Sequence, residues 1–213
     1  MEGMQAVRIE PDGLEALLGL CNAPQGVIVF AHGSGSGRFS PRNNYVAAGL
    51  RQAGLATLLL DLLQPEEEAD RAGVFDVPLL ADRLLGATNW VRQQAETAQL
   101  PIGIFGASTG GGAALVAAAH AGDQIAAIVS RGGRPDLAGA SLAHVRAPTL
   151  LIVGGLDLAV IDLNRQALAQ LPGEKELVIV PGAGHLFEEP GALDQVLGLA
   201  IAWFIEHLPR GSA

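Results

Sequence analysis

Short apolar runs alternate with longer amphipathic stretches along this 213-residue chain. The runs are apolar at consecutive positions, which is typical of strands covered by helices on both faces. They lie at residues 26–31, 55–60, 102–105, 125–129, 149–153 and 177–180. Apolar residues recur at helical spacing in the stretches 43–53, 77–96, 108–121, 161–171 and 192–207. The alternation predicts an α/β fold with a mostly parallel sheet and helices on both faces.

The chain is predicted to form one domain over residues 1–213. Its length suits a single domain, its hydrophobic content of 49% can fill a core, and no linker divides it. Residues 6–10 and 14–21 predict a hairpin at the edge of the sheet. The loop at 62–76 is the one candidate for a lid, and it is too short to form a cap domain.

Composition excludes several classes of function. The net charge of −9 argues against binding nucleic acid, which requires clustered Lys and Arg. A basic amphipathic helix and an apolar run of ~18 residues are both missing, so no role at a membrane is expected. The first residues do not resemble a signal peptide, and the lone Cys21 cannot form an internal disulfide. These features predict a cytoplasmic protein.

The strand at 102–105 leads into Gly106-Ala107-Ser108-Thr109-Gly110 and then into a helical pattern. A G-x-S-x-G sequence between a strand and a helix is the nucleophile elbow of serine hydrolases, in which a sharp turn exposes the hydroxyl group. Ser108 is therefore the candidate nucleophile. The structural alternative is a glycine-rich helix start with Ser108 as its N-cap residue.

A serine nucleophile needs a base, and the base needs an orienting carboxylate. His185 lies on a glycine-rich loop after the last predicted strand, where it can reach the nucleophile. Asp157 follows the strand at 149–153, at the edge of the sheet where Ser108 is expected. The order Ser, Asp, His is the one expected of this architecture. Asp136, which follows the preceding strand, is the reserve candidate.

The first buried strand ends in the sequence HGSGSG at 32–37. This loop is expected to supply one backbone N–H of an oxyanion hole from Ser34, and the residue after the nucleophile supplies the second from Thr109. His32 is expected to anchor the loop. A phosphate-binding loop is the alternative, but neither G-x-x-x-x-G-K-[ST] nor G-x-G-x-x-G is present.

With these motifs the chain resembles the α/β-hydrolase superfamily, and within it the small dienelactone-hydrolase-like group. The resemblance covers nearly all of the chain, and its three triad positions match. Dienelactone hydrolases proper use a cysteine nucleophile, whereas this chain has Ser108, so general ester cleavage is expected more than lactone cleavage. The resemblance rests on HGSGSGR at 32–38, SPRN at 40–43, the elbow, SRGGR at 130–134 and GAGHLF at 182–187.

Arg131 and Arg134 follow a strand at the edge where the site is expected. One hypothesis is that either of them binds an anionic part of the substrate, because a guanidinium group can bind a carboxylate through two hydrogen bonds. The alternative, which is favoured, is an ion pair that anchors the loop. The same two readings apply to Arg38 and Arg42, with the structural role favoured.

The sequence as a whole predicts a serine esterase that acts on small-molecule esters without a cofactor or metal. Lactone or thioester hydrolysis and acyl transfer could use the same triad. A non-catalytic binding protein of the same fold is the alternative from another class. Because the chain leaves little room for a cap, an open site and a preference for short acyl chains are expected.

Overall fold

The computed structural model describes residues 3–68 and 75–209, and within them eight strands form one sheet in the order β1-β2-β4-β3-β5-β6-β7-β8. The hairpin pairs β1 with β2, and β2 runs antiparallel to β4. The remaining neighbours are parallel, which confirms the predicted sheet. The strands are β1 Met4–Ile9, β2 Leu14–Gly19, β3 Val27–Ala31, β4 Ala56–Leu60, β5 Ile102–Ala107, β6 Ala127–Arg131, β7 Thr149–Gly154 and β8 Lys175–Val180.

Helices cover both faces of this sheet, as predicted. Because successive side chains of a strand point to opposite faces, Val29 packs with residues of the helices at 77–91 and 109–121, whereas Phe30 packs with residues of those at 41–52 and 192–207. Short 3₁₀ segments lie at Gly122–Gln124 and Pro135–His144. The helices are α1 Pro41–Gln52, α2 Pro65–Glu68, α3 Val77–Val91, α4 Thr109–Ala121, α5 Leu158–Gln170 and α6 Ala192–His207.

Two helix boundaries differ from the predicted ones by three residues or more. The helix predicted at 77–96 ends at Val91, and the chain then turns back so that the buried Thr97 hydroxyl donates to the Val91 carbonyl at 2.6 Å. The helix predicted at 161–171 begins earlier, at Leu158. In this structure Asp157 therefore stands at the N-terminus of α5.

The lid candidate at 62–76 lies partly outside the described residues, which resume at 75. Its first part is fastened to the body of the protein. The buried Arg83 of α3 donates to the Leu62 carbonyl at 2.8 Å and to the Glu67 carboxylate at 2.6 Å. The acidic residues at 66–70 predict a solvated loop, but Pro65–Glu68 form a short helix and Glu67 pairs with Arg83. Asp70 lies outside the described residues.

None of the helices in the part of the chain that the structure describes is long and apolar enough to cross a membrane. The lone Cys21 is half-buried and lies just after β2. Gly19 at the end of β2 pairs with Thr57, near the beginning of β4. Cys21 is therefore at the amino-terminal edge of the parallel strands.

Candidate active site

The residues of the candidate triad follow three parallel strands, at the carboxyl-terminal edge of the sheet. This edge is opposite the one at which Cys21 lies. Ser108 directly follows β5, Asp157 follows β7, and His185 follows β8 through a short loop. Ligand sites of open α/β sheets lie at this edge. The prediction that these residues share one edge therefore agrees with the observed topology.

The backbone at Ser108 is held in an unusual conformation. Its φ of 52° and ψ of −123° make it one of the few non-glycine residues with positive φ. Its N–H donates to the Arg131 carbonyl at 3.3 Å, and its own carbonyl accepts the Gly111 and Arg134 N–H groups at 3.0 Å. The Ser108 side chain forms no hydrogen bond that caps α4, which disfavours the alternative in which Ser108 is only an N-cap residue. Strain fixed by surrounding contacts is typical of functional positions.

Glycines allow the elbow to pack closely against β3. A Cβ atom at Gly110 would lie 2.1 Å from the Ala31 carbonyl oxygen, and one at Gly106 would lie 2.7 Å from the Gly111 Cα atom. A Cβ atom at Gly33 would lie 2.8 Å from the Ser108 Cβ atom. The loop after β3 and the start of α4 are therefore in direct contact beside the Ser108 side chain.

His185 and Asp157 form a short hydrogen bond, with 2.6 Å between Nδ1 and Oδ2. The Asp157 side chain is 16% exposed and that of His185 is 39% exposed. Because Nδ1 faces the carboxylate, Nε2 is the nitrogen available to act as a base. Within the described residues Ser108 Oγ forms no hydrogen bond with His185, and such bonds often tighten only when substrate is present.

The reserve carboxylate Asp136 has another partner. Arg134 donates to its two oxygens at 2.8 and 2.7 Å, which is the geometry of a bidentate ion pair. That ion pair anchors the loop after β6, so Arg134 has the structural role that the sequence left as the alternative. The aspartate that forms a hydrogen bond with His185 is Asp157, not Asp136.

Ser34 and Thr109 line the same small cavity, of about 10 Å³, together with His32. Among the described residues, no acceptor binds the backbone N–H of either Ser34 or Thr109. His32 is buried, and its Nε2 accepts the Leu62 N–H at 2.9 Å, so its Nδ1 carries the proton and donates to the Gly33 carbonyl. His32 thus anchors the loop that carries Ser34.

Sequence reasoning did not single out the residues that hold the His185 loop. Glu189 accepts the Gly184 N–H at 3.0 Å, and Glu188 pairs with Arg42 at 2.8 Å. Gly132 lies against the imidazole, since a Cβ atom there would be 3.6 Å from His185 Cε1. The sequence signal that could have identified them is the position of Glu188 and Glu189, three and four residues after the candidate base.

The other arginines near the site differ in their partners. Arg38 forms ion pairs with Glu15 and Asp61, which agrees with the favoured structural role. Arg131 is only 8% exposed, and its Nε and Nη1 atoms are buried without a hydrogen-bond partner among the described residues. Burial and the nearby charge of Arg42 lower the pKa of Arg131 to about 10.

A groove of about 440 Å³ lies along the loop at 34–42, next to the candidate oxyanion hole. A second cavity of about 470 Å³ lies between α3, α4 and the Pro135–His144 segment, and no triad residue lines it. The described residues contain no cluster of His, Cys, Asp and Glu that could hold a metal ion. No triad residue lines the groove at 34–42 either, but Ser34 of the candidate oxyanion hole does, so this groove is the candidate substrate site.

Comparison with known proteins adds to this geometry. The family model of the dienelactone hydrolase family matches residues 14–196. The chain belongs to this family. A dienelactone hydrolase from Anabaena variabilis has 55% sequence identity and a TM-score of 0.92, and the match covers 98% of this chain and 100% of the other.

Other relatives of this protein are either less similar in sequence or longer. Est1E of Butyrivibrio proteoclasticus, at 18% identity, shares the fold with a TM-score of 0.80 over 95% of this chain and 98% of its own. Proteins from two Mycobacterium tuberculosis strains, provisionally named phosphoribosyl transferases, are 63% identical over 185 residues. That match covers 87% of this chain but only 42% of each relative, so this chain spans less than half of their length.

Proposed function

We propose that this protein is a serine hydrolase that cleaves carboxylic esters of small substrates through Ser108, His185 and Asp157. The observation that carries the proposal is the 2.6 Å hydrogen bond between His185 and Asp157, at the same edge of the sheet as the half-buried Ser108 with its strained backbone. A nucleophile, a base and an orienting carboxylate together are what acyl transfer from an ester requires.

In the first half of the reaction, Ser108 Oγ attacks the ester carbonyl carbon while His185 Nε2 takes the hydroxyl proton. The backbone N–H groups of Ser34 and Thr109 stabilise the oxyanion, and one such donor contributes about 3 kcal/mol to lowering the barrier. His185 then gives its proton to the leaving alcohol as the bond between the acyl carbon and the alcohol oxygen breaks. Asp157 holds the imidazole tautomer and stabilises the charged form.

In the second half, water takes the place of the serine hydroxyl. His185 removes a proton from the water, whose oxygen attacks the acyl-enzyme. The carboxylic acid leaves as the proton returns to Ser108 Oγ. Each bond formed is matched by one broken, so the residues of the site suffice for the cycle.

The groove supports a preference for short acyl chains. It is formed mainly by the loop at 34–42, and no described segment covers it as a cap domain would. A long acyl chain would therefore gain little additional apolar contact there. Comparing p-nitrophenyl acetate with the decanoate tests this point, and a higher kcat/KM for the decanoate would contradict it.

Other reactions compete with ester hydrolysis for the same residues. Lactone or thioester hydrolysis and acyl transfer differ only in the leaving group or the acceptor. A non-catalytic binding protein would need neither the strained Ser108 backbone nor the hydrogen bond between His185 and Asp157. We do not propose phosphoribosyl transfer, because the longer relatives with that name match this chain over only 42% of their length.

Labelling by a fluorophosphonate probe tests the proposal. Wild type, Ser108→Ala and the control Ser141→Ala are compared, with p-nitrophenyl acetate turnover measured alongside. Ser141 is half-buried and lines the cavity away from the triad. Labelling and turnover lost only in Ser108→Ala would support the proposal. Labelling retained in Ser108→Ala would refute the nucleophile, and an unlabelled, folded wild type would favour a binding protein.

A further inference from the structure

The cavity of about 470 Å³ between α3, α4 and the 3₁₀ segment Pro135–His144 takes no part in the proposed reaction, because no residue of the triad lines it. Its volume lies within the range of about 300–1,000 Å³ that is usual for small-molecule sites. Each helix turns one face towards it. Ala81 and Leu85 line it from successive turns of α3, and Val116 and His120 do so from successive turns of α4. The cavity therefore has the size of a second ligand site.

The cavity lies where α4 and the 3₁₀ segment move apart. A Cβ atom at Gly112 would lie 2.8 Å from the Arg134 carbonyl oxygen and 3.1 Å from Leu137 Cβ, so α4 and the beginning of the segment are in contact there. One turn further along α4, Val116 lines the cavity instead. The segment bends at Gly139, whose φ of 50° and ψ of −129° are not helical. The opening is therefore a consequence of the backbone path on both sides.

The walls of the cavity are apolar and only partly covered. Ala81, Val116 and Ala138 are buried. Leu85 and Leu137 are half-buried, and they pack against the core with only part of their surface. An apolar group placed in the cavity would remove more of this surface from water, which is favourable. The walls therefore suit the apolar body of a ligand.

Two exposed polar side chains, Asp82 and His120, also line the cavity. Among the described residues Asp82 forms no ion pair, since the adjacent Arg83 pairs elsewhere. Nδ1 of His120 donates to the Val116 carbonyl at 2.8 Å, which leaves Nε2 as an acceptor when the ring is neutral. A second triad is not formed, because His120 lacks the bond from Nδ1 to a carboxylate that His185 has. A carboxylate and an imidazole acceptor together favour a cationic hydrogen-bond donor.

We infer that this cavity binds a small organic cation, a primary amine with an apolar body, whose ammonium group lies at Asp82 and His120 and whose apolar body lies between Leu85 and Leu137. A primary ammonium group has three N–H donors, so it can bind both acceptors at once. The net charge of −9 also favours the approach of a cation. This site is separate from the proposed esterase site and does not depend on it.

Binding is measured by titrating the whole chain with phenethylammonium and following its amide signals by NMR at constant ionic strength. We expect saturating shifts at residues that line the cavity, such as Val116 and Leu137. Ethylammonium lacks the apolar body, so its Kd should be higher by about tenfold. The anion 3-phenylpropionate has a body of similar size and the opposite charge, and it should not bind in this cavity.

Matched variants test the two acceptors. Asp82→Asn should raise the Kd for phenethylammonium by about fivefold, whereas Asp162→Asn should leave it unchanged, because it makes the same change in charge at an exposed aspartate of α5. His120→Phe should raise the Kd by roughly threefold. His144→Phe is its control, since Nδ1 of His144 also binds the carbonyl four residues earlier and this residue does not line the cavity.

Four results would overturn the inference. They are the absence of saturating shifts, shifts confined to the groove at 34–42, equal binding of 3-phenylpropionate, and an unchanged Kd in a folded Asp82→Asn variant. Sedimentation equilibrium tests the other possible occupant. A dimer whose formation shifts the amides of Val116 and Leu137, with no effect of phenethylammonium, would assign the cavity to a second copy of the chain and would also overturn the inference.

Discussion

Gly33→Ala tests the contact between the loop after β3 and the nucleophile. The added Cβ atom would lie 2.8 Å from Ser108 Cβ, 3.1 Å from the Ala107 carbonyl oxygen and 3.6 Å from Ser108 Oγ. Carbon atoms pack at about 3.5–4.0 Å, so Ser108 and Gly33 must separate by roughly 1 Å. The φ of Gly33 is not positive, so the effect comes from this contact and not from backbone strain.

The expected loss follows from that displacement. Misplacing a catalytic group by about 1 Å reduces the rate by roughly 10²-fold, which corresponds to about 2.7 kcal/mol in the barrier. The movement also shifts the Ser34 N–H relative to the substrate oxygen. Overpacking lowers the free energy of unfolding by about 1–3 kcal/mol, which a domain of ordinary stability survives.

The assay measures kcat/KM for p-nitrophenyl acetate, the rate of fluorophosphonate labelling and Tm in the same preparation. Gly86→Ala is the control, because no heavy atom lies within 4 Å of a Cβ at this position in α3. We expect Gly86→Ala to keep the activity and to gain a little stability, since alanine favours helix. A folded Gly33→Ala variant with wild-type kcat/KM and labelling would refute the reasoning.

Three further changes have defined outcomes. Asp157→Asn should lower kcat by roughly 10³–10⁴-fold, because it loses the carboxylate that sets the tautomer, and an undiminished kcat would contradict this. Gly110→Ala should lower the free energy of unfolding in urea by about 3 kcal/mol, because its Cβ meets the Ala31 carbonyl oxygen at 2.1 Å; wild-type stability would contradict it. Glu67→Gln should cost about 2 kcal/mol at pH 7 in the same assay, because it leaves buried Arg83 without its counter-charge. Because Arg83 lowers the pKa of Glu67, the difference in free energy of unfolding between wild type and Glu67→Gln should have its full size above about pH 4.3 and disappear as the pH falls further. A difference that grows on acidification would contradict this prediction.

The sequence predicts the sheet well because strands buried on both faces are apolar at consecutive positions, whereas helices at the surface are apolar at helical spacing. All six apolar runs became strands, with ends that differ by a few residues. The same pattern predicts the edge at which Ser108 and His185 lie, since parallel strands share one carboxyl edge. The end of the helix at Val91 is not predictable this way, because helical periodicity does not report the turn that follows, in which the Thr97 hydroxyl binds the Val91 carbonyl.

The arginines show what the sequence does not determine. Arg131 and Arg134 lie in one motif and have the same chemistry, yet one has a bidentate partner and the other is buried without one. The difference arises from strand alternation and from the path of the loop after β6. The pair of Arg83 with Glu67 likewise depends on how a helix and a loop pack, which local patterns do not report.

The location of the lone thiol has a consequence for oxidative damage. Cys21 lies after β2, at the edge of the sheet opposite the triad, and burial raises its pKa against the opposing effect of Arg51. Peroxide attacks thiolates, so this sulfur is poorly susceptible to it, and the proposed nucleophile is a hydroxyl that peroxide does not oxidise. Hydrolysis should therefore continue under oxidising conditions that would convert a cysteine nucleophile to sulfenic acid.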